Sequence, residues 1–269
     1  MSTAQVNGLN IHYQIDGNVD SSAPWLTLSH SLGCDLSMWD PQIEMLSQHF
    51  KVLRFDTRGH GKSSVPTAPY SLDDMALDVH GLLNTLGIQK THWMGLSMGG
   101  MIGQAFALRY PGIFTSMVLA DSTSKRADNA AAIWGERIKI AREQGMDALV
   151  DSTLARWFTE PFRKAQPDIM KRIGDGIRTI QVEGFCGSCA AIAEVNFLDQ
   201  LHLIDIPVLV MVGDQDHGTP PAMSEQMAAN LTNSDLVIIK DAAHISNIEQ
   251  TAFFNQALQS FYKKQGIGQ

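Results

Sequence analysis

The chain has 269 residues, 44% of them hydrophobic, enough to enclose one substantial core without metal or disulfide staples. Its formal net charge is −8 with both signs scattered, so no basic stripe exists to follow a phosphate backbone, and nucleic acid is not an expected partner. Residues 1–8 lack the apolar segment of a secretory leader, no run approaches the ~20 apolar residues that cross a bilayer, and Cys34, Cys186 and Cys189 are an odd set; a cytoplasmic protein with reduced thiols and no membrane partner is expected.

In chain order, Asn7-Gly8 separates two apolar-alternating stretches, so 4–6 and 11–15 are predicted to form an antiparallel hairpin at a sheet edge. Short apolar runs follow at 25–29, 52–55, 92–96, 117–120, 208–212 and 236–239, the pattern of strands buried on both faces. Between them lie helix-period sets: Trp39, Ile43 and Leu46; Leu72, Met75, Val79, Leu82 and Leu86; Met223, Met227 and Leu231; Phe254, Leu258 and Phe261. Ser71 with Asp74 forms a capping-box pattern, and Thr219 before Pro220-Pro221 is predicted to cap the next helix. The alternation predicts an α/β fold with a mostly parallel central sheet flanked by helices. It breaks between about Lys125 and Ile204, which predicts a helical cap at 125–204 inserted into a core of 1–124 and 205–269. Residues 266–269 are expected to fray.

Gly95-Leu96-Ser97-Met98-Gly99-Gly100 follows an apolar strand pattern and precedes the helical run 101–110. G-x-S-x-G is common by chance, but between strand and helix it reads as a nucleophile elbow. Such a turn strains the serine backbone, and small residues at 95 and 99 let strand and helix approach. A serine hydroxyl is a weak nucleophile near neutral pH, so it needs a base within hydrogen-bond reach and an acid that fixes the base's tautomer. Gly213-Asp214-Gln215-Asp216 ends the penultimate apolar run and Ala243-His244 follows the last, each beyond a strand's carboxyl end. Ser97, Asp216 and His244 are therefore the expected catalytic residues. Asp214 competes with Asp216, which sits further into its loop and reaches a histidine from the next one. His217 is second choice as base, and His12, His49, His80, His92 and His202 are expected to be structural or solvated, without partners.

A tetrahedral intermediate needs two amide donors, assigned to Met98 after the nucleophile and to Leu32 in the loop Ser29-His30-Ser31-Leu32-Gly33, with His30 bracing that loop. Asp56-Thr-Arg-Gly-His-Gly-Lys-Ser63 lacks phosphate-loop spacing, and its glycines suit a tight turn. Cys186-Gly-Ser-Cys189 has no second ligand pair and no H-E-x-x-H is present, so neither metal nor cofactor is expected.

Over essentially the whole chain these segments resemble the α/β-hydrolase superfamily, and more closely the 3-oxoadipate enol-lactonases. Ser31-Leu-Gly-Cys-Asp-Leu-Ser-Met-Trp-Asp40, Gly95-Leu-Ser-Met-Gly-Gly100, Arg156-Trp-Phe-Thr159 and His244-Ile-Ser-Asn-Ile-Glu249 carry the likeness. Cys34, Cys186 and His30 are not hallmarks of that family. The resemblance implies an α/β-hydrolase fold and hydrolysis of 3-oxoadipate enol-lactone to 3-oxoadipate in aromatic degradation. A small anionic lactone and an acidic protein together call for a local cation near the cap. Trp134 and Arg137, i,i+3 on a predicted helix, are the first choice, with Arg156 and Trp157 as the competing pair. The same catalytic set also serves a broader carboxylesterase or lactonase, or a ligand sensor signalling through its cap. A homo-oligomer is possible and is not specifically indicated.

Overall fold

The computed structural model describes residues 2–18 and 22–268. At the amino end, Asn7 and Gly8 take φ of 51° and 79°, the two left-handed positions of a tight turn, and fold β1 (Ser2–Val6) back on β2 (Leu9–Asp16). The apolar runs become β3 (Trp25–Ser29), β4 (Lys51–Phe55), β5 (Thr91–Leu96), β6 (Phe114–Ala120), β7 (Val208–Gly213) and β8 (Ser234–Ile239). They form one eight-stranded sheet in the order β1-β2-β4-β3-β5-β6-β7-β8, antiparallel at β1/β2 and β2/β4 and parallel elsewhere. The strand order reverses at β3, which sits between β4 and β5. That reversal splays the connections apart and leaves a crevice at the carboxyl edge.

Central β5 and β7 are buried along their whole length, as continuous apolar runs require. The last strand departs from that pattern. β8 is an edge, and Leu236 and Ile238 face outward and are exposed, so apolar character alone misjudged its outer face.

Helices α1 (Asp40–Leu46), α2 (Leu72–Thr85) and α3 (Met98–Arg109) cover the first half of the sheet, and the Ser71–Asp74 capping box opens α2 as expected. Phe106 of α3 stacks on Phe114, which stacks on Trp93, at ring distances of 4.4 and 5.0 Å. Trp93 also requires Gly103, where a Cβ would lie 2.2 Å from the indole nitrogen.

Five helices then follow without a sheet strand among the described residues of 125–204: α4 (Ala130–Gln144), α5 (Val150–Trp157), α6 (Glu160–Ala165), α7 (Pro167–Thr179) and α8 (Val182–Ala193). An isolated bridge, Lys125 to Asn196, closes the base of the segment. Cys186 and Cys189 lie buried and free on α8. On the same helix Gly184 and Gly187 abut the core: a Cβ at 184 would fall 2.1 Å from the Gly59 carbonyl oxygen, and one at 187 would fall 2.6 Å from the Tyr70 ring. The Trp157 carbonyl accepts from the Ile245 amide at 3.1 Å, and Glu249 accepts from the Thr159 amide and hydroxyl at 2.9 and 2.6 Å. These contacts seat the helices over the loops beyond the strands' carboxyl ends.

The chain closes with α9 (Pro221–Asn230), α10 (Ser246–Glu249) and α11 (Thr251–Lys264). Two local expectations are corrected. Pro220, not Thr219, occupies the cap position of α9, because the threonine side chain is committed elsewhere. The tail through Gly268 is docked rather than frayed: the Ile267 amide donates to the Tyr262 carbonyl at 3.0 Å, and Gly268 lies against His49, while residue 269 falls outside the described residues. No helix among the described residues is long and apolar enough to cross a membrane.

Two glycine substitutions separate steric need from mere tolerance. A Cβ at Gly95 would sit 2.2 Å from the Gly99 carbonyl oxygen, whereas one at Gly135, within α4, meets nothing within 4 Å. Gly95→Ala should lose ~3 kcal/mol or more in urea unfolding, and Gly135→Ala should gain ~0.5–1 kcal/mol from helix propensity and a less flexible unfolded chain.

Candidate active site

The turn between β5 and α3 holds Ser97 at φ 53° and ψ −114°, a region that L-residues enter only when their surroundings force it. Those surroundings are visible. The Ser97 amide donates to the Ala120 carbonyl at 2.8 Å, and the Ser97 carbonyl accepts from the Ser122 hydroxyl at 2.8 Å. The Gly95-x-x-x-Gly99 contact brings helix against strand, and a Cβ at 99 would lie 2.1 Å from the Ser29 carbonyl oxygen.

Beyond β7 and β8 the structure brings the other expected residues to this serine. His244 Nε2 lies 2.9 Å from Ser97 Oγ, and His244 Nδ1 lies 2.7 Å from Asp216 Oδ2. With Nδ1–H donated to the carboxylate, Nε2 is left to accept the serine proton. Asp216 Oδ1 also accepts the amides of Gly218 and Thr219 at 2.7 and 3.0 Å, and its Oδ2 accepts the Thr219 hydroxyl at 2.6 Å. Burial pushes the Asp216 carboxyl up, but His244 and the donors from Thr219 outweigh it and hold the group down at about 2. Asp214, the competing acid, is exposed, and so is His217. The expectation that the remaining histidines lack partners fails at His12, 2.7 Å from Asp56, at His92, 2.7 Å from the Ser116 hydroxyl, and at His80, stacked on Tyr110.

Sequence reasoning missed the residue that ties these loops together. Asp121 follows β6 at φ 45°, fully buried, and its Oδ1 accepts the Gly213 amide at 2.9 Å. Its Oδ2 takes the Ser246 amide at 3.3 Å and hydroxyl at 2.5 Å. Asp121 therefore joins the loop of Asp216 to the loop of His244, while its neighbour Ser122 holds Ser97. An acid directly after a wholly apolar run, Met117–Ala120, was the available signal. Burial, with the nearby Asp216 charge adding to it, pushes the Asp121 carboxyl well above its ordinary value.

The two amides expected to receive an oxyanion are not taken up by the backbone ladder. Met98 opens α3, where an N–H has no acceptor within the helix, and the Leu32 amide meets no protein acceptor among the described residues. The loop carrying Leu32 is braced from behind. His30 Nδ1 donates to the Ser31 carbonyl at 2.8 Å and its Nε2 accepts the Thr57 amide at 3.0 Å; His60 Nε2 accepts the Gly33 amide at 3.1 Å. Burial, with His30 beside it, lowers His60 to about 3, so this imidazole stays a neutral acceptor. Asp56 accepts the amides of Leu36 and Lys62 at 2.9 Å each, and a Cβ at Gly61 would collide with that carboxylate at 2.2 Å.

Trp134, Arg137, Arg156 and Trp157 line one chamber with Ser97. The predicted pairing is crossed: Arg156, not Arg137, lies over the Trp134 ring at 5.6 Å, while Arg137 lies over Phe185 at 5.8 Å and donates to the Thr153 hydroxyl at 2.9 Å. Trp157 turns instead toward Gly33. The Nε atoms of both arginines are buried without a hydrogen-bond partner, and neither guanidinium has a carboxylate within salt-bridge distance among the described residues. Burial, and for Arg137 the charge of Arg156, lowers both below the usual arginine range, yet a guanidinium keeps its proton at neutral pH. Two cations without a salt bridge among the described residues thus stand beside the serine–histidine couple, with the Asp216 charge acting on Arg156.

Comparison with known proteins places this geometry. A sequence model described as the alpha/beta hydrolase fold matches residues 24–251. The chain is 37% identical to 3-oxoadipate enol-lactonase 2 of Acinetobacter baylyi, over 97% of this chain and 96% of that protein. The solved enol-lactonase from Burkholderia xenovorans LB400 superposes with a TM-score of 0.94 at 38% identity, covering 97% of this chain and all of that one (100%). A thermophilic esterase from Thermogutta terrifontis, solved with malate bound, has a TM-score of 0.89 at 29% identity, covering 97% and 96% of the two chains.

The state of Asp121 is open to measurement. A carboxyl raised above its unfolded value of 3.8 keeps in the folded state a proton that the unfolded chain has released. Stability is then full below that value and falls as pH rises toward the folded value, by roughly tenfold in the unfolding constant per pH unit. Urea unfolding should show the wild type losing stability relative to Asp121→Asn as pH rises above about 4, the lowered His60 contributing equally to both curves. Asp216 does not interfere, because its contribution, from a carboxyl lowered to about 2, is already complete above 3.8. Parallel curves for the two proteins mean that Asp121 is ionised in the folded state.

Proposed function

The chain belongs to the α/β-hydrolase fold family, and on that premise we propose that it is a serine lactonase that hydrolyses 3-oxoadipate enol-lactone to 3-oxoadipate. The observation that carries the reading is the pair Arg137 and Arg156, two guanidinia without a carboxylate salt bridge among the described residues and each with an unpartnered Nε, in the chamber that holds Ser97 and His244. Such a pair suits a substrate that carries a free carboxylate close to the scissile ester, as the enol-lactone does on its enol carbon. The 37% identity to an enol-lactonase over nearly the whole chain supports the same substrate.

Chemistry follows from the hydrogen-bonded chain. His244 Nε2, 2.9 Å from Ser97 Oγ, takes the hydroxyl proton as Oγ attacks the lactone carbonyl. Asp216, anchored by Gly218 and Thr219, stabilises the imidazolium that forms. The amides of Leu32 and Met98 receive the developing oxyanion. Collapse breaks the ring C–O bond, His244 returns its proton to the departing enolate oxygen, and the enol ketonises. Water, activated by the now neutral His244, then attacks the acyl-enzyme and frees the carboxylate. An enolate leaves more readily than an alkoxide, so the demanding step is holding the anionic ring in register, and the arginines supply that.

Ser97→Ala and His244→Ala should each lower turnover of the enol-lactone by ~10⁴-fold or more, Asp216→Asn somewhat less, and Asp214→Asn little. A Ser97→Ala enzyme that still turns over rejects the nucleophile. Arg137→Ala and Arg156→Ala should each reduce kcat/KM for the lactone by ~10–100-fold and barely change hydrolysis of a small neutral aryl ester. Equal loss on both substrates would assign the arginines to folding instead of substrate charge.

A further inference from the structure

Ser97 opens onto two chambers, and the lactone reading occupies one. The second shares Ser97, Trp134, Arg156 and His244 with the first but is otherwise lined largely by apolar side chains, among them Met101, Ala130, Ile133, Ile192 and Met223. Helix α4 builds the division. Ala130 and Ile133 face the apolar side, Trp134 lines both, and Arg137, one turn on, lines the cationic side. Arg156 stacked on Trp134 is the wall between them. Ile133, 41% exposed, stands at the mouth of the apolar chamber with Lys125 and Arg126, so a large apolar side chain and two cations share one rim.

In a lactone the acyl and leaving groups are tied in one ring, so ring opening releases no separate alcohol. An apolar chamber adjoining the proton-transferring histidine fits instead a leaving group that is a chain of its own. We propose that the enzyme also hydrolyses half-esters of short dicarboxylic acids, with the free carboxylate held by Arg137 and Arg156 and the alkoxy chain lying in the chamber formed by Ala130, Ile133 and Met223. The inference rests on the roles of Ser97 and the arginine pair given above. In the reaction the Ser97 Oγ–acyl bond forms, the ester C–O bond to the alkoxy group breaks, and His244 passes the serine proton to the alkoxide, which departs as the alcohol. Water then supplies hydroxide to the acyl carbon and a proton to Ser97 through His244, releasing the dicarboxylate. No oxidant, reductant or metal enters the balance.

The test compares hexyl hydrogen succinate with methyl hydrogen succinate, which lacks the long alkoxy chain, and with hexyl butyrate, which lacks the carboxylate. The hexyl half-ester should exceed each control in kcat/KM by about tenfold or more, since each methylene housed in an apolar pocket is itself worth a severalfold preference. Ala130→Phe should fill the chamber and remove that advantage, leaving methyl hydrogen succinate within about threefold of wild type. Because residue 130 is buried, Ile133→Trp at the exposed mouth is the companion variant, with the same selective loss expected. A hexyl half-ester no better than the methyl one, or equal losses on both esters in the folded Ile133→Trp enzyme, overturns the inference. Hexyl butyrate matching the hexyl half-ester overturns the carboxylate clamp. Hydrolysis of the half-ester with no turnover of the enol-lactone sustains this inference and overturns the lactone assignment alone; turnover of the lactone without the half-ester does the reverse.

Discussion

A serine held at φ 53° is the constraint from which the rest of the site follows. Such a backbone costs on the order of 1–3 kcal/mol and persists only where its neighbours leave no alternative. Here the strand amide network fixes one side, the Ser122 hydroxyl fixes the other, and two glycines remove the atoms that would keep α3 off β5. The reward is positional: Ser97 Oγ projects from the end of a fully buried strand toward a histidine three strands away in the sheet order.

Three loops that leave β5, β7 and β8 have to agree to within a few tenths of an ångström, and nothing in their separate sequences enforces that. The Asp121-Ser122 dipeptide at the end of β6 does so by bonding to all three: Gly213 on the loop of Asp216, Ser246 beside His244, and the Ser97 carbonyl. A carboxyl placed this close to Asp216 is an electrostatic liability when ionised, and burial together with the Asp216 charge raises its affinity for a proton. The division of labour between the two acids is environmental: Asp216 has a cationic partner in reach and four donors, Asp121 has neutral donors and no solvent.

Much of this was legible in the chain because it is written in local patterns. Apolar runs located all the strands, the glycine spacing around Ser97 located the elbow, and the order of Asp216 and His244 after their strands placed them at the same edge. What escaped the sequence is whatever depends on which neighbour arrives from elsewhere. Thr219 has the sequence of a helix cap, yet its hydroxyl is captured by Asp216, which no local rule can weigh. Trp134 and Arg137 do lie one turn apart, but helical spacing is blind to α5 and α8, whose Arg156 and Phe185 supply the actual stacking partners. His12 and Asp56 lie 44 positions apart and meet only once β2 and β4 pair. Outward Leu236 and Ile238 reflect the edge position of β8, a property of topology rather than of the strand's composition.

The glycine contact between Gly184 and Gly59 bears on how far the helical segment can be treated as a module. Backbone touches backbone there, with no side chain to absorb a change in shape, and the very next residue, His60, carries the hydrogen bond to the Gly33 amide beside Leu32. The seat of the helical segment and the back of the loop carrying Leu32 are thus one continuous piece of packing. A helical segment transplanted from a related hydrolase would have to bring a glycine at its corresponding position, or it would sit high and disturb that loop. Exchange of such segments as a route to new specificity is therefore confined, in this protein, to donors that share that single missing methyl group.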